Sequence, residues 1–130
     1  MPHDDIQRYL KEVETAIGNL QNAYVEFYEE ELLTPERLNL RIRVRFYGGC
    51  LLELNESVVN QDGLKHLGYR YHFQDKKGNL IFRYDNTPHF PDLPTFPHHK
   101  HTMAKVDSAD MPTIVNAIRE AGEIASHSSI

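Results

Sequence analysis

The clearest pattern along the chain is a strict alternation of apolar and polar residues over residues 37–47. Alternation with period two is typical of a β-strand, so one set of side chains should face a core and the other should face away. Similar alternation follows at about residues 50–59, 64–75 and 80–85. The segments between these strands are short and rich in turn-forming residues, which favours an antiparallel meander. Those turns are Gly48-Gly49, residues 60–63 and residues 75–79.

Two other segments have apolar residues at the spacing of an amphipathic helix, namely residues 5–21 and residues 111–125. Each apolar stripe needs a partner surface, and the apolar face of the sheet is the simplest one. The pattern therefore predicts a single α+β domain over residues 1–130. We expect two layers, with an antiparallel meander sheet of four to five strands within residues 23–85 and both helices packed on one face.

The polar positions of the predicted strands collect on the opposite face of the sheet. That face would carry arginines together with one histidine and two carboxylates, namely Arg41, Arg43, Arg45, Glu53, Arg70, His72, Arg83 and Asp85. Nearby arginines disfavour a charged imidazole, so the pKa of His72 should fall and leave a neutral base near pH 7. A histidine base beside arginines is the minimal requirement for metal-free RNA cleavage, in which the 2′-hydroxyl is the nucleophile. The alternative is that His72 is simply a cross-strand partner of Glu53.

Charge supports a basic surface in the middle of the chain. The net charge is −5, yet residues 37–105 contain eleven basic and six acidic side chains, and both flanking regions are acidic. Such a distribution favours local phosphate binding. The alternative is that cross-strand ion pairs absorb the arginines.

Residues 86–101 follow the last clear strand and contain a proline at every third position, namely Pro88, Pro91, Pro94 and Pro97. That period matches polyproline II, so we expect a rigid strap that carries a histidine cluster towards the polar face. The subsequent residues 102–109 would be a connector or an edge strand. In the latter case they could pair with a second chain, which leaves a homodimer open.

The histidine cluster at the end of the strap is a candidate metal site. In extended chain His99 and His101 lie on one side and could share an ion such as zinc, while His98 points away from it. A third ligand would be His72, His89 or Asp85. The alternative is a solvent-exposed polar loop, and RNA cleavage by His72 would need no cofactor.

Several classes of protein are excluded or disfavoured. The single Cys50 excludes a disulfide framework and a cysteine zinc cage. No apolar run approaches the roughly 20 residues that span a bilayer, and the N-terminal residues lack a signal-peptide pattern, so a cytoplasmic protein without membrane contact is expected.

Three segments carry a resemblance to a known family. They read YRYHFQD at residues 69–75, RYDN at residues 83–86 and PHFPDLPTFPHHKH at residues 88–101. The chain there resembles the TumE-like family, the toxins of toxin–antitoxin modules in bacteria and archaea. The family pattern has a second histidine where this chain has Phe90. The resemblance implies a small cytoplasmic toxin that acts on RNA and is neutralised by a co-encoded antitoxin.

These observations support three hypotheses. In the first, a toxin binds and cleaves RNA, with His72, Arg70, Arg83 and Asp85 as catalytic residues; its substrate-binding residues would be Arg41, Arg43, Arg45 and His98. In the second, the basic face is a non-catalytic binding module. In the third, the protein is a metal-dependent hydrolase that uses His99 and His101.

Overall fold

The computed structural model describes residues 2–127, and the side chains of residues 5–127. This part of the chain forms two α-helices and seven β-strands. In chain order they are α1 Pro2–Gly18, β1 Ala23–Thr34, β2 Arg37–Phe46, β3 Leu51–Asn60, β4 Leu64–Gln74, β5 Leu80–Asp85, β6 His99–His101, β7 Val106–Ser108 and α2 Ile114–His127.

The seven strands form one antiparallel sheet in which spatial order follows chain order from β1 to β7. Short turns join β1 through β5 and also join β6 to β7, while the longer residues 86–98 join β5 to β6, so that each strand pairs with the next in a meander. The α+β class and the antiparallel meander are confirmed, but the expectation of four to five strands is wrong. The two additional strands, β6 and β7, have three residues each, and so short a run shows no measurable alternation. Strand β7 is an edge of the sheet, and its pairing with a second chain remains a prediction.

The core lies between the helices and one face of the sheet. The alternation in β2 is confirmed, because its apolar side chains are buried while Arg41 and Arg43 are exposed. The same parity holds in β4, where Tyr69, Tyr71 and Phe73 are buried. Both helices contribute their apolar stripes to this core, chiefly through Val13, Ile114, Ala117, Ile118 and Ala121.

The helix bounds differ from those expected at both ends of the chain. Helix α1 begins at Pro2, earlier than residue 5, and α2 begins at Ile114, later than residue 111. The later start of α2 has a local cause, because Thr113 Oγ1 accepts the Asn116 N–H at 3.0 Å and caps the helix there. None of the helices in residues 2–127 has the length and apolar character needed to cross a membrane.

The proline-rich segment between β5 and β6 is a series of tight turns. Backbone N–H groups of Leu93, Phe96 and His98 each donate to the carbonyl three residues earlier, at 3.2, 3.0 and 2.8 Å. Polyproline II has no internal hydrogen bonds, so the expectation of an extended strap is wrong. The compact segment nevertheless returns the chain to the sheet, where residues 99–101 pair with β5.

Candidate functional site

The sheet face opposite the helices, here called the outer face, carries two rows of polar side chains. Directly paired residues of antiparallel strands project to the same side, so the register defines each row. The first row is Arg43, Glu53, His72, Arg83 and His101. The second row is Arg41, Asn55, Arg70, Asp85 and His99. The meander therefore brings the arginines of β2 and the histidines of β6 onto one surface.

Three of the five predicted arginines lie near carboxylates. The distances are 3.2 Å for Arg43 to Glu53, 3.0 Å for Arg45 to Glu26, and 3.7 Å for Arg83 Nε to Asp85 Oδ2. These pairs neutralise part of the basic face. This agrees with the alternative that ion pairs absorb the arginines.

Arg41 and Arg70 differ from the other three predicted arginines. Both are exposed, and neither has a carboxylate partner among the side chains of residues 5–127. Arg41 Nε donates to Asn55 Oδ1 at 3.3 Å, and Asn55 is in turn the register partner of Arg70. Of the five predicted arginines, these two are the most available to a phosphate.

Exposed aromatic rings accompany the arginines on the outer face. Tyr24 pairs with Arg45 and Phe27 with Arg43, and their side chains are 48% and 45% exposed. Tyr47 is 70% exposed, and its ring stacks on that of Tyr24 at 5.9 Å. Sequence parity did not single out these rings, although exposed aromatic residues beside arginines in an edge strand could have indicated them.

His72 occupies the middle of the first row, half-buried between arginines. Its Nε2 lies 2.9 Å from Gln74 Oε1, and its buried Nδ1 has no hydrogen-bond partner among the residues that the structure describes. Burial is the main cause that lowers the pKa of His72; the Gln74 hydrogen bond opposes this shift, and the charges of Arg70 and Arg83 add to it. The ring is therefore neutral near pH 7 and able to accept a proton.

Arg83 is the register partner of His72 on β5. Its Nε is also buried, and no group in the described part of the chain forms a hydrogen bond with it. Two adjacent side chains thus each bury an unpaired nitrogen, which is uncommon because unpaired polar atoms are costly to bury. This is a feature expected more often of a functional site than of a purely structural contact.

Asp85, His99 and His101 converge at the end of the two rows. One potential ligand atom from each lies within 4.8 Å of the others. The Asp85 carboxylate is 2.8 Å from His99 Nε2 and 3.7 Å from His101 Nε2. Asp85 and His99 are buried, and His101 is partly exposed. One carboxylate and two imidazoles form a donor set that suits a transition-metal ion.

Phe90 covers this cluster from the turned segment. Its ring makes edge contacts with His99 at 5.0 Å and with His101 at 5.8 Å. Burial lowers the pKa of His101, and the Arg83 charge lowers it further while Asp85 opposes the shift. Both imidazoles are therefore shielded from bulk water on one side.

His98, predicted as a substrate-binding residue, is not brought together with the other predicted site residues on the outer face. Its Nδ1 lies 2.9 Å from the Tyr69 hydroxyl, and the two rings stack at 5.7 Å. Tyr69 belongs to the helix-facing parity of β4, together with Tyr71. Because neighbouring residues of an extended chain point to opposite faces, His98 must diverge from His99.

A second buried carboxylate, Glu56, was missed by the sequence analysis. It accepts hydrogen bonds from the hydroxyls of Tyr9 and Tyr71, the latter at 2.7 Å, and lies 3.1 Å from His66 Nε2. Glu56 follows the apolar parity of Leu52 and Leu54 in β3. A charged residue at a core position was therefore the signal that could have found it.

A family model described as toxin TumE matches residues 7–125. The chain belongs to the TumE toxin family. This confirms the resemblance seen in residues 69–101. Membership of TumE, a family of toxins from toxin–antitoxin modules, implies a partner antitoxin. Comparison with curated proteins and with solved structures gives no match.

The TumE match includes both rows of the outer face and the Glu56 network. It assigns no role to any of these residues.

Proposed function

We propose that this TumE-family toxin acts on single-stranded RNA, which it binds on the outer face and cleaves with His72 as general base. The observation that carries the proposal is the direct pairing of His72 with Arg83 on neighbouring strands, on the face that also bears Arg41 and Arg70. A neutral base beside cations is what attack on a phosphodiester requires.

Binding is supported by two kinds of side chain on the outer face. Arg41 and Arg70 have no carboxylate partner among the described side chains and can each meet a phosphate. The exposed rings of Tyr24, Phe27 and Tyr47 can stack on unpaired bases. A basic surface with aromatic platforms is typical of proteins that bind single-stranded nucleic acid.

In the cleavage step, the 2′-oxygen of one nucleotide attacks the adjacent phosphorus while its proton passes to Nε2 of His72. For this, Gln74 gives up its contact with that nitrogen and the ring proton moves to Nδ1, which leaves the lone pair on Nε2. The bond from phosphorus to the 5′-oxygen breaks, and the leaving oxygen takes a proton from water. His72 then returns its proton to the solvent. The products are a 2′,3′-cyclic phosphate and a 5′-hydroxyl end.

Arg83 and Arg70 are assigned to the phosphate in this step. A guanidinium group presents planar donors that match phosphate oxygens, and it stabilises the negative charge that builds on them. The pairing of Arg83 with Asp85 at 3.7 Å is longer than a hydrogen bond, so the guanidinium can turn towards a substrate.

The test is cleavage of an end-labelled single-stranded RNA by the purified protein, with mass spectrometry of the new ends. We expect cyclic phosphate ends, and we expect His72→Ala to slow cleavage by about 100-fold or more. His98→Ala is the matched control, because that histidine packs against Tyr69 on the helix-facing side.

Two results would overturn the proposal. One is cleavage at an unchanged rate by His72→Ala, and the other is cleavage of a strand whose 2′-hydroxyl at the cut site is replaced by hydrogen. Salt-sensitive RNA binding without turnover would instead identify a non-catalytic binding module.

A further inference from the structure

We propose that Asp85, His99 and His101 bind one divalent transition-metal ion such as zinc. This inference goes beyond RNA cleavage by His72, which needs no ion. The site is built by the pairing of β5 with β6, in which Asp85 lies opposite His99 and Arg83 opposite His101. Because His99 and His101 are two residues apart in a strand, both imidazoles project to the side of the Asp85 carboxylate.

The spacing of the three side chains fits such an ion. Zinc binds nitrogen and oxygen ligands at about 2.0 to 2.2 Å in a tetrahedron, which separates the ligand atoms by about 3.3 Å. The Asp85 oxygens lie 2.8 Å from His99 Nε2 and 3.7 Å from His101 Nε2, on either side of that separation. Small rotations of partly exposed His101 are enough to bring all three atoms onto one ion.

The hydrogen bonds of His99 provide the strongest argument. Its Nδ1 lies 3.0 Å from the Pro97 carbonyl oxygen, which can only accept, so Nδ1 carries the ring proton. In the neutral ring, Nε2 then has a lone pair, and it faces another acceptor, the Asp85 carboxylate. A cation between the two resolves this conflict. Metal-binding histidines usually donate their other ring N–H to a carbonyl or carboxylate in the same way.

The surroundings also resemble those of a metal site. The Thr87 N–H donates to Asp85 Oδ1 at 3.0 Å and orients the carboxylate. Phe90 shields one side of both imidazoles. His101 remains partly exposed, so the ion would keep an open position for water or a substrate oxygen, as catalytic zinc sites do.

The competing interpretation is a doubly protonated His99 in an ion pair with Asp85. It explains the 2.8 Å contact without an ion, and it predicts no stoichiometric metal uptake. The donor set itself limits the choice of ion, because two imidazoles favour zinc, cobalt or iron over magnesium and calcium, which prefer oxygen ligands.

The experiment is metal titration of the full chain, prepared without a histidine tag and stripped with a chelator. Zinc is titrated calorimetrically, and cobalt is titrated while its visible absorption spectrum is recorded. We expect one equivalent of either ion and a cobalt spectrum of a nitrogen- and oxygen-ligated centre. In Asp85→Asn and His101→Asn we expect the affinity to fall by about 100-fold.

His98→Asn is the matched control, a histidine of the same segment that contacts Tyr69. It should bind zinc as the wild type does, and circular dichroism should show that all three variants remain folded. Absence of stoichiometric uptake by the wild type would overturn the proposal. So would an equal loss of affinity in His98→Asn and His101→Asn.

Cleavage of RNA is measured separately on chelator-treated and zinc-loaded protein. Zinc uptake without cleavage would leave the metal site in place and refute the proposed function. Cleavage by protein that binds no zinc would support the proposed function and refute the metal site.

Discussion

Among the side chains of residues 5–127, each face of the sheet buries one carboxylate, and the two have opposite chemical surroundings. On the helix-facing side, Glu56 is held by hydroxyl groups of Tyr9 and Tyr71 and lies beside His66. On the outer face, Asp85 lies among nitrogen groups of His99, His101 and Arg83. The comparison separates a carboxylate that stabilises the fold from one that is available for chemistry.

The difference arises from the partners. Burial raises the pKa of both Tyr9 and Tyr71 far above the usual range, so their hydroxyls stay protonated and always donate to Glu56. Imidazoles offer a lone pair as readily as a proton near neutral pH. A carboxylate with permanent donors is satisfied within the protein, whereas one facing imidazoles can share them with an ion.

The largest effect that we expect is on stability, from Glu56→Ala. The substitution leaves the buried Tyr71 hydroxyl without its acceptor and leaves Tyr9 and His66 only their mutual contact at 3.1 Å, so the free energy of unfolding should fall by about 3 to 5 kcal/mol. Urea denaturation measures it. Glu53→Ala on the same strand is the control; its partner Arg43 is exposed, and a loss below about 1 kcal/mol is expected. Similar losses for the two variants would contradict the comparison.

The next largest effect concerns the cover of the Asp85 cluster. Phe90→Ala should weaken zinc binding by about tenfold, because the apolar wall that shields His99 and His101 from water is removed. Competition with a chromophoric chelator measures the affinity. Phe96→Ala is the control, since that ring lies in the same turned segment and is 43% exposed. If Phe96→Ala weakens zinc binding as much, the contact of Phe90 is not the cause.

A smaller effect should distinguish two arginines of β2. Arg41→Ala should weaken RNA binding several-fold and lower the salt slope by about 0.7, as the loss of one phosphate contact with a single strand does. Arg45→Ala should change the RNA affinity and the salt slope less, because Glu26 already pairs with Arg45 at 3.0 Å. Binding measured by fluorescence anisotropy at several salt concentrations checks both. Equal losses would show that ion pairing on the outer face does not decide which arginine is available.

The smallest effect is the pH dependence of stability caused by His72. Its pKa is lowered in the folded protein by burial and by Arg70 and Arg83, against Gln74 and Glu53. Between that lowered pKa and the ordinary value of 6.5, the unfolded chain binds a proton that the folded chain does not. The stability that the protein gains from neutral His72 is therefore complete above about pH 6.5. It is lost as the pH falls from 6.5 through the lowered pKa of His72.

His72→Gln removes this contribution. The free energy of unfolding of the wild type should fall more steeply between about pH 7.5 and about pH 5 than that of the variant. Denaturation curves at several pH values measure the two slopes. Parallel slopes would mean that the surroundings of His72 do not disfavour its charged form.

Much of the outer face was predictable from alternation. Residues of β2 and β4 sort by parity because a strand buries alternate side chains, and this placed Arg41, Arg43, Arg70 and His72 on one side. The same rule applied to β3 would have revealed Glu56, since it shares the parity of Leu54. Glu56 was not expected in the core because a carboxylate is rarely fully buried unless it is paired.

The contact of Asp85 with His99 was not predictable in the same way. The two residues are separated by a segment whose proline spacing indicates an extended strap, while its backbone forms tight turns. Strands of three residues contain too few positions to show a period. The opposite directions of His98 and His99 are fixed by the pairing of β6 with β5, which the local sequence does not specify.

The amino-acid sequence by itself determined the strand parity, the two amphipathic helices and the family, because each depends on local periodicity or on a contiguous motif. The tertiary structure alone decided which carboxylate meets which ring. That choice depends on strand register and on the path of a turned segment, and both are set by packing between residues far apart in the chain.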